Sequence, residues 1–180
     1  IKHFNNNEED MEFLLQNITT SAWNIEQDRG RSLRTATDKL VKEHPLFEKD
    51  IRAYYDNWTT MLKGEIQENV ATLRKLDGKY PLFGLTNWSS ETFPYALEHY
   101  DFFKIFEGKI VVSGDEKLIK PDPKIYKVLL NRYQLQANES VFIDDNLDNI
   151  NAAKNLGFET IHVTQNTNLE AELKQLGFIF

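Results

Sequence analysis

The most conspicuous absences from this 180-residue sequence are cysteine and any long apolar run. Without cysteine the chain can form no disulfide framework and no thiolate metal site, which fits a reducing compartment, so we expect a cytoplasmic protein. Its apolar stretches are only a few residues long, whereas a helix that crosses a membrane needs about 20. We therefore expect no membrane partner.

Basic residues are also scarce, because 21 Lys and Arg stand against 28 Asp and Glu and leave a net charge of −7. Nucleic-acid-binding proteins usually carry a basic face, so this balance argues against a nucleic-acid partner. A small anionic substrate stays open, since the charge close to a site outweighs the sum over the chain. Apolar residues make up 41% of the sequence, enough for one domain or for a core with a small insert. These numbers leave the oligomeric state open.

Up to residue 63 the sequence has only helical periodicity. Apolar residues recur at intervals of three and four, and His44-Pro45 divides two helices because a residue before proline disfavours the helical conformation. The polar and aromatic cluster from Trp23 to Arg29 is expected between helices, and the three asparagines at 5–7 are expected to form a turn or linker. Residues 1–63 are therefore predicted to be an α-helical cap domain.

From Gly64 onward, predicted helices alternate with short apolar runs of strand length. Strands that alternate with helices imply a parallel sheet covered by helices on both faces. We therefore expect an α/β fold, with a doubly wound, Rossmann-like core over residues 64–180. The last helix is expected to begin at Thr167, which Glu170 follows at the capping-box spacing. The runs predicted as strands are 81–86, 110–112, 141–145 and 160–163.

Polar residues follow three of these strands, at the edge where an α/β sheet presents its ligands. Thr86-Asn87 ends the first strand, and a hydroxyl with free backbone N–H groups at such a turn can hold phosphate oxygens. Capping of the next helix is the alternative interpretation. Lys120 lies in extended backbone before Pro121, where it could neutralise a phosphate and a nearby carboxylate, although an isolated lysine is more often a solvated surface residue.

Adjacent carboxylates, Asp144 and Asp145, end the third of these strands. Carboxylates at such a tip can hold Mg²⁺, a hard cation that takes oxygen ligands and often shares them with a substrate phosphate. Ordinary capping of the helix that follows is the alternative for this pair. Asp148, a little further along, is expected to cap that helix.

Thr, Lys and an acid pair at successive strand ends resemble the haloacid dehalogenase superfamily of phosphohydrolases. Gly84-Leu85-Thr86-Asn87 looks like its second motif, the run from Lys120 to Tyr126 like its third, and the run from Phe142 to Gly157 like its fourth. The branch that the chain most resembles holds glucose-1-phosphate phosphatases and the phosphatase domain of soluble epoxide hydrolases. In that branch a helical cap lies between the first and second motifs, which is the place of residues 1–63 here.

The resemblance implies an Mg²⁺-dependent phosphomonoesterase that acts on a small phosphorylated metabolite such as a sugar phosphate. It implies that Thr86 and Asn87 bind the phosphoryl group and that Lys120 stabilises the charge on the nucleophile and the phosphate. By the same resemblance, Asp145 would ligate Mg²⁺, and Asp144 would ligate it directly or through water.

Two further residues receive roles from this resemblance. Asn149 would be a supporting polar group beside the acid pair. In the cap, Arg29 could contact a phosphate or sugar hydroxyls, since a guanidinium matches such groups. A packed helix junction in which Arg29 pairs with an acid is the alternative, and the residue pattern favours it.

The superfamily's first motif, an apolar strand that ends in the nucleophilic aspartate, is missing from the sequence. Ile1-Lys2-His3-Phe4 does not match it, and the first acids stand at a predicted helix start. We therefore expect the nucleophile upstream of this chain, in a truncated start, a disordered start or a separate polypeptide. We also expect the chain alone to be inactive, because the aspartate divides phosphoryl transfer into two steps.

Two other functions compete with the phosphatase. A 2-haloacid dehalogenase shares the resembled fold but needs no metal, and its relatives usually carry a serine in the acid pair, so Asp144-Asp145 favours the phosphatase. A non-catalytic binding or regulatory module is the other alternative, in which the acid pair would hold a divalent ion for structure only.

Overall fold

The computed structural model describes residues 8–180, so the expectations for residues 1–4 and 5–7 lie outside the described part. Within that part, helices alone occupy the chain as far as residue 76, and strands then alternate with helices. The α-helices are α1 (Glu8–Asn17), α2 (Ser21–Asp28), α3 (Leu33–Glu43), α4 (Glu48–Asp56), α5 (Gln67–Leu76), α6 (Phe93–His99), α7 (Ser113–Glu116), α8 (Pro123–Arg132), α9 (Leu147–Asn155) and α10 (Leu169–Gln175). Short 3₁₀ helices span Pro45–Phe47, Trp58–Met61, Asp101–Phe106 and Ala137–Glu139.

The strands form two parallel pairs. They are β1 (Gly84–Thr86), β2 (Ile110–Val112), β3 (Val141–Asp144) and β4 (Glu159–His162). β1 pairs with β2, β3 pairs with β4, and within residues 8–180 no ladder joins one pair to the other. The parallel strands and their helices confirm the predicted α/β fold with a Rossmann-like core, although the first and last strands are shorter or shifted relative to the predicted runs.

The main hydrophobic core lies where α8 and α9 pack against the strands. Tyr126 and Ile125 of α8 are fully buried beside Val111 of β2 and Phe142 of β3. Burial of each such side chain contributes about 1.5–3 kcal/mol relative to exposure. The core therefore holds the two strand pairs together through side chains, and their carboxyl ends lie at the same end of the fold.

The first helical part differs from the prediction in one element. The stretch from Trp23 to Arg29, expected between helices, lies mostly within α2, which begins after Thr20, whose side chain accepts the Trp23 N–H. The helical pattern was missed because the buried position of α2 is the polar Gln27, which leaves no apolar stripe to detect. The expected break at His44-Pro45 is confirmed, since α3 ends at Glu43.

Two expected caps are wrong by one or two residues. Asn146, and not Asp148, caps α9 by accepting the N–H groups of residues 148 and 149. Asn168, and not Thr167, caps α10 by accepting the Ala171 N–H. Asn is as good an N-cap as Asp or Thr, so local sequence cannot rank neighbouring candidates.

The described part contains no helix with the combination of length and apolarity that a membrane crossing demands. The proposed division into residues 1–63 and 64–180 falls between the 3₁₀ helix Trp58–Met61 and α5, and it stays a prediction.

Candidate active site

A buried ion pair connects the two strand pairs. Lys120 Nζ lies 2.6 Å from Asp144 Oδ2 and donates a second hydrogen bond of 2.9 Å to the Leu85 carbonyl of β1. The two charged side chains are only 10% and 6% exposed. A pair so far removed from water is strongly destabilised when one partner is lost, because the other charge stays behind without compensation.

Asn87 fixes the backbone that carries Lys120. Its side-chain amide donates to the Lys120 carbonyl at 2.9 Å, and its Oδ1 accepts the Lys120 N–H at 2.8 Å. These reciprocal bonds imitate a strand ladder between the loop after β1 and the loop before α8. The nitrogen and the oxygen of its side-chain amide thus both bond to this loop, and the predicted phosphate contact of Asn87 stays a prediction.

The other oxygen of Asp144 is also occupied. Asp144 Oδ1 accepts the Asn146 N–H and Asn149 Nδ2, each at 2.9 Å. With Lys120 on Oδ2, the buried carboxylate has the donors that a desolvated charge requires. Asn149 therefore orients the carboxylate that orients the lysine, which matches its predicted supporting role.

Asp145 has a different environment from its neighbour. Its side chain is exposed, and within residues 8–180 it makes no hydrogen bond or ion pair. Its carbonyl accepts a 2.9 Å bond from His162 Nε2, which anchors the backbone at the end of β3. The strand thus buries one carboxylate and leaves the next one open to a ligand, as alternation of side chains along a strand predicts.

Thr86 and Arg29 are less closely joined to this group. Thr86 ends β1 opposite Val112 and is half-buried, one residue before Asn87. Arg29 follows α2, is about 40% exposed and lies 3.4 Å from Glu26, so it has the acid partner that the alternative interpretation expected. The structure thus brings Asn87, Lys120 and Asp144 together, with Thr86 and Asp145 adjacent in the chain.

The carboxylates supply hard oxygen donors of the kind that Mg²⁺ prefers. Within residues 8–180 no group of three His, Asp or Glu side chains forms a metal cluster. Mg²⁺ usually keeps several waters and needs only one or two carboxylates beside a substrate phosphate. The open Asp145 side chain, with Asp144 behind it, therefore fits this ion in donor type.

A cavity of about 230 Å³ borders Asn87 and separates the helices from the loop after β1. We call it the Asp28 cavity; the lining residues that matter here are Asn24, Asp28, Tyr54, Trp58, Asn87 and Trp88. Burial raises the pKa of the Asp28 carboxyl to about 6, and a hydrogen bond from the Ser89 backbone opposes that rise in part. A larger cavity of about 320 Å³, beside Arg74 and Lys104, contains none of the predicted site residues.

Sequence reasoning overlooked Ser113, which is fully buried directly after β2. Its hydroxyl donates to the Asp28 carbonyl and accepts the Trp88 N–H at 2.8 Å. This single hydroxyl therefore fastens the end of α2 to the loop that follows Thr86. Its position at the end of a strand was a usable signal, because polar residues at the other strand ends were recognised in that way.

The sequence profile of the haloacid dehalogenase-like hydrolases matches residues 10–163 of the chain. This range is most of the 180 residues, and the chain belongs to that family. The chain is 32% identical over 105 residues to the sesquiterpene phosphatase astK of Aspergillus oryzae, covering 58% of this chain and 53% of the relative. It is 33% identical over 79 residues to rat bifunctional epoxide hydrolase 2, covering 44% of this chain and 13% of the relative.

A solved structure of similar fold is the magnesium complex of a haloacid dehalogenase family enzyme from Bacteroides thetaiotaomicron. It has a TM-score of 0.75 and 18% identity, and the alignment covers 96% of this chain and 88% of that one. This likeness concerns the fold. The family expected from the three strand-end motifs is confirmed, and the chain spans about half the length of the phosphatase relative.

Proposed function

We propose that the protein to which this chain belongs is an Mg²⁺-dependent phosphomonoesterase of a small phosphorylated metabolite, such as a sugar phosphate. The observation that carries the proposal is Lys120, a buried cation held between Asp144 and β1, with the exposed carboxylate of Asp145 following Asp144 in the chain. Family membership supports a hydrolase, and a phosphatase among the relatives supports a phosphate ester.

In this proposal Thr86 and Lys120 act on a phosphoryl group. The Thr86 hydroxyl donates to its oxygens, and the Lys120 ammonium opposes its negative charge, whereas the Trp88 N–H after β1 already donates to Ser113. Such fixed donors lower the barrier because phosphoryl transfer depends mainly on positioning and electrostatic stabilisation. Asn87 contributes by fixing the backbone of Lys120, while Arg29 would reach the substrate only from the helical side.

The proposal assigns Mg²⁺ to Asp145, with Asp144 as its direct or water-mediated second ligand. When bound, the ion would supply positive charge next to the phosphate. The residues of this chain would hold the ion. Asn149 would position Asp144, and Asp144 would position Lys120.

A carboxylate nucleophile is proposed to come from outside residues 8–180. Support comes from the sheet, where the β1 pair and the β3 pair share no ladder within the described part. Another parallel strand between them would pair with free strand edges and could deliver an aspartate beside Lys120. We therefore also propose that residues 1–180 alone have no turnover.

Phosphate release by the full-length protein, with and without Mg²⁺, tests the function over a set of sugar phosphates. Asp145→Ala is expected to lower Mg²⁺-dependent turnover by about 100-fold or more, because it removes the open carboxylate. Asp148→Ala is the matched control: it removes an exposed acid three residues further along, and turnover should stay close to that of the parent protein.

Unchanged phosphate release in Asp145→Ala, or in chelated enzyme, contradicts the role of the metal. Halide release from 2-chloropropionate without Mg²⁺ would replace the phosphatase with a dehalogenase. A full-length protein that turns over no phosphate ester would favour the non-catalytic module.

A further inference from the structure

The Asp28 cavity is lined by both apolar and polar residues. Trp58, Trp88, Met61 and Leu62 supply the apolar part of the lining. Asn24, Asp28 and Tyr54 supply polar groups. Because Asn87 belongs to the lining as well as to the Lys120 group, the cavity adjoins the proposed phosphate position.

The charge of this cavity is the opposite of what an anion requires. Among the described residues that line it, Asp28 is the only acidic or basic side chain, and no Lys, Arg or His is present. In residues 8–180 no ion pair is formed by Asp28, whose carboxylate receives one backbone N–H from Ser89. A carboxylate has room for about four hydrogen bonds, so this one can accept more from a ligand.

Asp28 is held in place from the strand side of the molecule. Its carbonyl accepts the hydroxyl of Ser113, which also accepts the Trp88 N–H. Two residues on, Gly30 has φ +97°, and a Cβ there would come within 2.7 Å of the Gly114 carbonyl. The backbone that carries Asp28 is therefore fixed against the segment that follows β2.

Asn24, another polar residue of the lining, is preorganised by a hydrogen-bond chain. Gln27 Nε2 donates to the Tyr55 hydroxyl at 2.8 Å, and that hydroxyl donates to Asn24 Oδ1 at 2.9 Å. Asn24 Oδ1 is therefore occupied, and its amide nitrogen is left to donate. A ligand would meet an acceptor in Asp28 and a positioned donor in Asn24, in a cavity that Trp58 and Trp88 also line.

We propose that the Asp28 cavity selects substrates whose alcohol portion carries a further hydrogen-bond donor beside an apolar face and bears no second anionic group. This inference rests on the proposed function and concerns the part of the ester that leaves when phosphate is removed. A hydroxyl or ammonium of the substrate donates to Asp28, and its carbon skeleton lies against Trp58 and Trp88. A second phosphate or a carboxylate would face the Asp28 charge with no cation to offset it.

A matched pair of phosphate esters tests this selection in the full-length protein. Glycerol 1-phosphate and 3-phosphoglycerate share one skeleton, and the second has a carboxylate where the first has a hydroxymethyl group. We expect kcat/KM for glycerol 1-phosphate to exceed that for 3-phosphoglycerate by roughly tenfold or more, and Asp28→Asn to reduce this ratio to about threefold or less. Asp56→Asn, which removes an exposed acid at the end of α4, should keep the parent ratio.

Affinity of both esters, measured by calorimetry, separates this inference from the proposed function. A tighter Kd for glycerol 1-phosphate that Asp28→Asn abolishes supports the selection even if neither ester is hydrolysed, and only the phosphatase then fails. Equal or undetectable affinities, or a kcat/KM ratio that Asp28→Asn leaves as it was, overturn the selection. Hydrolysis of both esters at similar rates overturns the selection by Asp28 but supports the proposed phosphatase activity.

Discussion

Asp144 and Asp28 are both removed in part from water, but they differ in how many protein groups donate hydrogen bonds to their carboxylates. Asp144, at the end of β3, receives Lys120 on one oxygen and two N–H donors on the other. Asp28, at the end of α2, receives one backbone N–H, and burial raises its pKa to about 6. Asp144 has an ion-pair partner and two further donors within the chain, whereas Asp28 keeps more hydrogen-bonding capacity that a ligand can use.

This difference separates a positioning group from a binding group. Asp144 carries three donors on the roughly four lone-pair sites of a carboxylate, so in the proposed function it mainly holds Lys120 and has room for one further contact. A carboxylate with few donors stays costly until something donates to it, so Asp28 favours a ligand with N–H or O–H groups. Perturbed groups in clefts are common at functional sites for this reason.

Removal of the Lys120 ammonium from its pair with Asp144 should change stability more than any other substitution considered below. Lys120→Met leaves Asp144 buried without its counter-charge, and it should lower the free energy of unfolding by about 3–5 kcal/mol. Urea denaturation of the full-length protein measures this change. Lys124→Met, which removes an exposed lysine of α8, is the control and should change stability by less than about 0.5 kcal/mol.

A second substitution in the same background distinguishes lost charge pairing from lost packing. Lys120→Met combined with Asp144→Asn removes the stranded charge, so the double variant should be more stable than Lys120→Met alone. If the Lys120 and Lys124 variants are equally stable, the pair is not buried as described.

Neutralisation of Asp28, the carboxylate with fewer donors, should change stability less than Lys120→Met does, and it should raise stability. Because its pKa rises from 3.8 to about 6 on folding, the native state binds more protons than the unfolded state between these values. Stability therefore falls as pH rises through that window, and the cost is fully present above about pH 6 and absent below about pH 4. Asp28→Asn should be more stable than the parent at about pH 8, by on the order of 1 kcal/mol after allowance for partial exposure.

Thermal and urea unfolding across this pH range check the sign. The stability gap between Asp28→Asn and the parent should close as the pH approaches about 4, while Asp56→Asn should show no such gap. Tyr54 and Tyr55 are the titratable neighbours of Asp28, and burial raises the pKa of both hydroxyls further above this window. A gap that is constant with pH would mean that the Asp28 environment is not desolvated.

The exposed pair of Arg29 and Glu26 should give the smallest change in stability. Arg29→Gln is expected to alter the free energy of unfolding by less than about 1 kcal/mol, because exposed pairs contribute little. Arg29 is also predicted to contact the substrate, so the KM of the Arg29→Gln variant should rise by roughly threefold or more. Arg34→Gln should leave KM unchanged. An unchanged KM in Arg29→Gln would assign this residue to the helix end alone.

Strand-end motifs were predictable from the sequence because a short apolar run and the polar residue after it are neighbours in the chain. Thr86 and Asp144-Asp145 were found in this way, together with the family and the α/β fold. Lys120 was also expected at a strand end, but it lies in the loop between α7 and α8, because a short helix follows β2 directly. α2 was missed because its buried residue is the polar Gln27. The caps Asn146 and Asn168 were misplaced because several neighbouring residues have equal capping ability.

Local periodicity and residue type thus determined which elements form and which polar side chains stand at their ends, since both depend on residues a few positions apart. Only the tertiary structure decided that Asp144 is enclosed and Asp145 open, and that Ser113 fastens Asp28 beside Trp88. Those outcomes depend on burial and on donors that lie tens of residues away. The free energy of a carboxylate is set by such distant partners, and no local pattern in the chain contains them.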